Sequence, residues 1–188
     1  MSNFKRNSPF ANAAIVITVD HQRQFGDDLF GGLKFRQNLE SQALKLANSA
    51  GSTRELPAQK LADFMEGKTK RSIGKTSCPS GSVTTPLHTL FQNDFLTQLR
   101  QSLNKFESKM KGFCSAEATL FGVESRTSCP VTIERNKDTL VSLSHTGLYP
   151  CGEGAGYAGG ITSAACDGTN VADAIVSELA SETVDSQT

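Results

Sequence analysis

Gly147-Leu148-Tyr149-Pro150-Cys151-Gly152-Glu153-Gly154-Ala155-Gly156-Tyr157-Ala158-Gly159-Gly160-Ile161-Thr162-Ser163-Ala164-Ala165 is the stretch on which the reading of the fold turns. Its first part, 148–151, reads as a short strand running into a loop crowded with glycine. Beyond it, Ile161, Ala164, Ala165, Val171, Ala172, Ile175 and Leu179 recur at helical spacing and predict a helix ending near 179. Gly154, Gly156 and Gly159 fit Gly-x-Gly-x-x-Gly between a strand and a helix, where that pattern has physical meaning. Glycine permits positive φ and lets bare backbone N–H groups approach a ligand. A helix N-terminus adds unpaired donors and a partial positive charge. A complete dinucleotide unit also needs a second parallel strand and an acidic residue about 20 positions on. Here Glu178 and Glu182 fall in the last turn or the tail, and no further strand follows. The segment is half of a site.

Working outward, 10–19 carries the β-branched run Ala13-Ala14-Ile15-Val16-Ile17-Thr18-Val19 and predicts a strand covered on both faces. Residues 33–48 place Leu39, Ala43, Leu46 and Ala47 on one helical face, with Gly51 positioned to end the helix. Residues 54–64 alternate like a strand, which Pro57 confines to an edge or a strand start. Thr85-Pro86 resembles an N-cap with proline at the first helical position. From there Leu87, Leu90, Phe91, Phe95, Leu99, Leu103, Phe106 and Met110 mark the core stripe of one bent or two consecutive helices, Asn93 capping the second. Residues 116–125 and 130–135 predict further strands, with a charged turn at Asn136-Lys137-Asp138 and a polar tail over 181–188. The expected class is mixed α+β: a mixed-sheet lobe over 1–146, then a strand–glycine–helix unit of Rossmann type over 147–180.

Nineteen basic and nineteen acidic side chains cancel, so no net field favours nucleic acid or an anionic membrane. No apolar run approaches bilayer length and no signal peptide is evident, which predicts a cytoplasmic protein. Cys78, Cys114, Cys129, Cys151 and Cys166 are odd in number and include no Cys-x-x-Cys pair. They predict reduced thiols rather than a zinc ribbon, and no metal site. Thr-Ser-Cys-Pro occurs twice, ending at Pro79 and Pro130, too little for a repeat.

Residues 149–165, with Asp167-Gly168 and 172–175, resemble the C-terminal flavin motif of a family of bacterial FAD-dependent dehydrogenases, also labelled NAD(FAD)-utilising dehydrogenases. Gly122-Val123-Glu124-Ser125-Arg126-Thr127-Ser128, Pro57-Ala58-Gln59-Lys60-Leu61-Ala62-Asp63-Phe64 and the opening Met1-Ser2-Asn3 resemble the same family. The resemblance implies an N-terminal βαβ unit that grips the ADP moiety of FAD and is absent here. It also implies a middle substrate domain and a final strand and helix against the flavin. Gly152, Glu153, Gly154, Ala155, Gly156, Tyr157, Gly159, Gly160 and Ile161 are then the FAD-side residues. Glu153 would lie near the ribityl chain, and the backbone of 159–161 near the flavin pyrimidine, where positive potential favours the reduced ring. Arg126 and Tyr157 are candidates for contact with a small-molecule substrate, and NAD(P) is a candidate co-substrate. Ser125 and Cys129 depart from the Thr and Ser expected, and with Met1 inside the pattern the chain reads as a C-terminal fragment.

Each sharp reading has a plainer rival. Glu153 can be a surface carboxylate, Arg126 half of a salt bridge, and Tyr157 simple packing. His21, His88 and His145 lack companions at useful spacing and read as surface or helix residues, which leaves the catalytic group unknown. Gly74-Lys75-Thr76 is not a phosphate loop, because Thr69 occupies the place of the first glycine. Two other functions remain open: a non-enzymatic assembly module or subunit of a split flavoenzyme, and a nucleotide binder unrelated to flavin. Self-association through surfaces left by truncation is a further expectation.

Overall fold

The computed structural model describes residue 5 and residues 7–185. The expectations for Met1-Ser2-Asn3 and for the last tail residues, 186–188, lie outside the described residues. Two compact units are present. Unit 1 comprises 1–20 with 35–125, and unit 2 comprises 21–34 with 126–188. Their elements confirm a mixed α+β class.

Unit 1 is built on three short strands, β1 (Leu56–Lys60), β2 (Ser82–Thr84) and β3 (Thr119–Phe121), in the order β2-β1-β3. β1 pairs parallel with β2, Leu56 opposite Ser82, and antiparallel with β3, Ala58 opposite Phe121. β1 is therefore the central strand rather than an edge, and Pro57, its second residue, takes the strand start that the sequence also allowed. The two ladders are staggered: β3 pairs from Ala58 onward, and next to Pro57 only its carbonyl is used, accepting from the Gly122 N–H. The missing proline donor falls where no ladder bond is required.

Helix α1 spans His21–Phe25 and α2 spans Gly31–Ser49. Gly51 ends α2 as expected, with φ +82°. Its N–H reaches the Asn48 carbonyl and the Ser52 N–H the Ala47 carbonyl, a Schellman ending that a Cβ at 51 would strain. α3 (Leu61–Glu66) leaves the end of β1 directly. A 3₁₀ turn (Leu87–Leu90) and α4 (Asn93–Lys109) form the two consecutive helices. Thr85 does not cap: it is buried and its hydroxyl bonds the Ala58 carbonyl. Asn93 begins α4, whose cap residue is Gln92. Leu61, Phe64, Leu87 and Leu103 form the core, with Ile15, Leu46, Phe91, Leu99 and Leu120 against it.

Polar side chains also lie inside unit 1. Gln59 and Asp63 are completely buried. Asp63 accepts from the backbone N–H groups of Lys70 and Arg71, both at 2.7 Å, and pairs with the Arg71 guanidinium. Gln59 donates to the Lys68 carbonyl at 2.6 Å and to His88 Nδ1 at 2.9 Å. The basic segment 67–71 is thus an anchored loop.

Three expected strands do not form. Residues 10–19 have no regular structure; Ile15 packs on the core, but Val16 is 63% exposed. A β-branched run becomes a strand only where a neighbouring backbone pairs with it, and none of the three strands does. Residues 130–135 make a single bridge, Arg135 with Ser142, because the Ile133 and Arg135 N–H groups are drawn to Ala155 O and Tyr157 Oη. Residues 148–151 have no regular structure. The terminal unit is therefore loop and helix. Its helix, α5 (Ile161–Asp185), runs past the expected end near 179 into the predicted tail.

Candidate functional site

Unit 2 arranges the glycine segment around one part-buried ion pair. Arg135 grips Asp167, on the second turn of α5, through two bonds of 2.6 and 3.1 Å. The side chains are only 9% and 13% exposed. The Arg135 guanidinium first, then the Gly152 N–H, holds the Asp167 carboxyl below its ordinary range against the opposing effect of burial. The same guanidinium donates to the Pro150 carbonyl and lies 3.7 Å from the centre of the Tyr157 ring. Tyr157 Oη in turn donates to the Ile133 carbonyl. The Gly152 N–H donates to Asp167 Oδ2 and the Tyr157 N–H to the Gly152 carbonyl. One arginine, one aspartate and one tyrosine fix both ends of the loop.

Within that frame the motif glycines serve two different purposes. Gly156 has φ +85°, and a Cβ on it would lie 2.6 Å from Thr132 Oγ1 and 2.8 Å from the Val131 carbonyl. The fold itself demands glycine there. Gly154 and Gly159 lack positive φ, and a Cβ on either would meet nothing within 4 Å. Their bare backbone faces open space. Nothing within the described fold calls for glycine at those two positions.

Just beyond, α5 begins. Its first backbone bond runs from the Ala164 N–H to the Gly160 carbonyl, so the N–H groups of Ile161, Thr162 and Ser163 have no helical partner. Ile161 is 93% exposed at this end. Ser163 Oγ turns back to the Gly160 carbonyl. Ala155 is buried, its carbonyl accepting from Ile133. The structure thus brings Gly152, Glu153, Gly154, Ala155, Gly156, Tyr157, Gly159, Gly160 and Ile161 into one loop and helix start. Glu153 lies 3.8 Å from Arg126, both well exposed, a pair worth well under about 1 kcal/mol. Tyr157 is committed to Arg135. Cys129 Sγ donates to the Gly154 carbonyl.

Sequence reasoning missed Arg135, which it had assigned to a strand, and gave Asp167 no task. The available signal was an acid within the small-residue helix 161–175, where only a partner makes burial tolerable. All five cysteines are unbridged. Among the described residues no cluster of His, Cys, Asp and Glu could hold a metal, and no helix is long and apolar enough to cross a membrane.

Comparison with known proteins adds two findings. Residues 1–127 match the family described as FAD-dependent protein, C-terminal domain-like. An uncharacterized protein of Clostridium beijerinckii (strain ATCC 51743 / NCIMB 8052) is 37% identical over 181 residues, covering 95% of this chain and 33% of that protein. The chain therefore spans about a third of that relative's length. The family match stops short of the glycine loop. The alignment with the Clostridium protein omits only about nine residues (5% of 188), so it includes the loop.

Proposed function

Because the chain belongs to the FAD-dependent protein, C-terminal domain-like family, we propose that it is the carboxyl-terminal part of an FAD-dependent oxidoreductase of dehydrogenase type and supplies one wall of the flavin site. The observation that carries this reading is the pair Gly154 and Gly159, bare where the fold does not require it, beside three unpartnered N–H groups at the start of α5. A Cβ at either glycine would intrude only on something that approaches from outside the chain. The donor set suits the electron-rich edge of a flavin, which when bound supplies the two-electron chemistry. In this reading 1–146 is the substrate-facing lobe, and the segment from 147 through the end of α5 at Asp185 is the flavin segment. The proposal includes no NAD(P) site.

The wall alone is too weak to hold the cofactor. Nanomolar affinity corresponds to about 12 kcal/mol. A helix N-terminus contributes about 0.3–1 kcal/mol and each backbone hydrogen bond about 1 kcal/mol. The rest must come from polypeptide corresponding to the other two thirds of the Clostridium relative. The test is to titrate FAD into this chain alone and into a protein joining it to that polypeptide. The joined protein is expected to purify yellow and the chain alone to bind weakly. A colourless joined protein that refuses added flavin would overturn the reading.

One observation favours a variant in which the remainder is a separate subunit or assembly partner. α5 exposes Val176 and Leu179, 65% and 57%, as well as Ile161. Such a face recruits a partner or a second copy. Gel filtration of the chain with and without the other two thirds distinguishes a stoichiometric complex from self-association.

A further inference from the structure

We propose that unit 2 carries a binding site for an amphipathic ammonium cation, in a cleft of about 410 Å³ lined by Leu29, Thr132, Glu134, Leu143 and Ser144. Three features of the cleft define its ligand. The first is charge. Glu134 brings a carboxylate that makes no ion pair with any described residue, and the adjacent Arg135 is committed to Asp167. An unpaired carboxylate at a cleft favours a cation and repels an anion. The second is hydroxyl oxygen: Thr132 can accept a hydrogen bond from an ammonium group, and Ser144 Oγ, already in contact with Ser142 Oγ and His145 Nδ1, keeps a lone pair for one. The third is the apolar wall. Leu29 and Leu143 are 69% and 64% exposed, and hydrocarbon laid on them leaves water. A compact inorganic cation would leave that wall uncovered, and a carboxylate or phosphate would meet Glu134 as a like charge. An alkyl amine satisfies all three features.

The cleft is mechanically tied to the glycine loop. Thr132 lies so close to Gly156 that no Cβ fits between them, and the Ile133 N–H is held by the Ala155 carbonyl. The Glu134 carbonyl accepts from the Leu143 N–H, which fixes one wall to the other. Binding of the amine stands on this geometry alone. Its role as the oxidoreductase's substrate subsite rests on the flavin reading above.

The test uses this chain without flavin and hexylammonium as the probe, followed by NMR. Saturable shifts confined to Leu29, Thr132, Glu134, Leu143 and Ser144 are expected, with hexanoate at the same concentration producing none. Glu134→Gln should weaken hexylammonium about fivefold, as for loss of an exposed charge pair, with unchanged thermal unfolding. Leu143→Ser, which keeps the carboxylate, should also weaken it. Equal binding of hexanoate, shifts elsewhere, no saturation, or full affinity in Glu134→Gln overturns the proposal. Flavin binding is scored separately on the joined protein. A colourless joined protein whose terminal chain still binds hexylammonium at Glu134 defeats the flavin reading and leaves the amine site standing. A yellow one whose chain ignores hexylammonium does the reverse.

Discussion

Unit 1 and unit 2 are stabilised by different means. Among the described residues, the buried apolar side chains Ala43, Ala47, Ala58, Leu61, Phe64, Leu87, Phe95 and Leu103 all belong to unit 1, whereas unit 2 contributes Ala155 and Val171. Both units expose large apolar side chains, Val16 and Leu44 among them in unit 1 and Leu29, Phe30, Ile133, Leu143, Leu148, Ile161, Val176 and Leu179 in unit 2, but in unit 2 they far outnumber the buried ones. Unit 1 has a hydrophobic core with a polar network inside it. Unit 2 is a loop and a helix held by one arginine–aspartate pair, with apolar surface turned outward. A core spreads its load over many contacts, so a loss in it is felt by the whole packed unit. A single ion pair does not spread its load.

Mutation should expose that difference. Leu103→Ala, in the unit 1 core at 1% exposure, should cost roughly 3–4 kcal/mol and lower the cooperative melting of the chain, measured by calorimetry. Asp167→Ala leaves Arg135 buried without its partner and should cost about 3 kcal/mol. Its effect should be confined to unit 2, so limited proteolysis should cut within 131–160 while unit 1 stays intact. Replacing both partners, Arg135→Met with Asp167→Leu, should restore part of the loss, since the penalty is the orphaned charge. If Asp167→Ala melts the chain as a whole, the contrast between the units is wrong.

The glycine loop sharpens the comparison at a smaller scale. Gly156→Ala meets both positive φ and the Thr132 and Val131 atoms, and should destabilise by about 2 kcal/mol. Gly154→Ala meets neither and should be neutral or stabilise by up to about 0.5 kcal/mol. In the flavin-binding joined protein the order should change: Gly154→Val should remove flavin while leaving the melting temperature of the isolated chain unaltered. Urea unfolding of the variants, beside flavin content, checks both halves.

These contrasts also mark what the sequence could disclose. α2 was legible because its apolar period and Gly51 are local signals, and α5 because its small residues recur at helical spacing. Its exposed side was not, since Ile161, Ala165, Ala172 and Leu179 look like a core face until the structure turns them outward. Residues 10–19, 130–135 and 148–151 were misread because strand formation depends on a partner backbone, which no local pattern reports. The central place of β1 was hidden by Pro57, whose penalty depends on which ladder faces it. At the site, the glycines were visible by their own chemistry. Arg135 was not, because its task is set by Asp167, 32 positions away along the chain.

The smallest expected effect lies in unit 1 and concerns proton uptake. Gln59 is fully buried, and its amide makes four contacts: Oε1 accepts from the His88 backbone N–H at 3.1 Å and lies 3.3 Å from His88 Nδ1, while Nε2 donates to Lys68 O and His88 Nδ1. The shorter bond, from Gln59 Nε2 to Nδ1, is the one made by the neutral ring with its proton on Nε2. Protonating Nδ1 would give up the 2.9 Å bond from Gln59 Nε2 and leave only the longer 3.3 Å contact to Oε1. Flipping the Gln59 amide offers no escape, because Nε2 would then face the His88 N–H and Oε1 the Lys68 carbonyl. Burial first, and Arg100 of α4 as the charged neighbour, hold the imidazole below its ordinary value of 6.5. Asp63, on the other side of the loop, is committed to Arg71 and two backbone N–H groups. The unfolded chain then binds the His88 proton more readily than the folded one. The stability this contributes is complete above 6.5 and is lost as pH falls from there through the lower folded value. Asp63, Glu107 and Asp167 are depressed carboxyls whose contributions are lost only at more acid pH, leaving the window between to His88. Thermal unfolding of the wild type should therefore weaken between about pH 7 and 5 by more than that of His88→Gln, which has no proton to gain. Hydrogen exchange at Lys70 and Arg71 should stay slow throughout, because Asp63 still holds them. Equal pH dependence in the two proteins would show that the Gln59 network bears no proton-linked load.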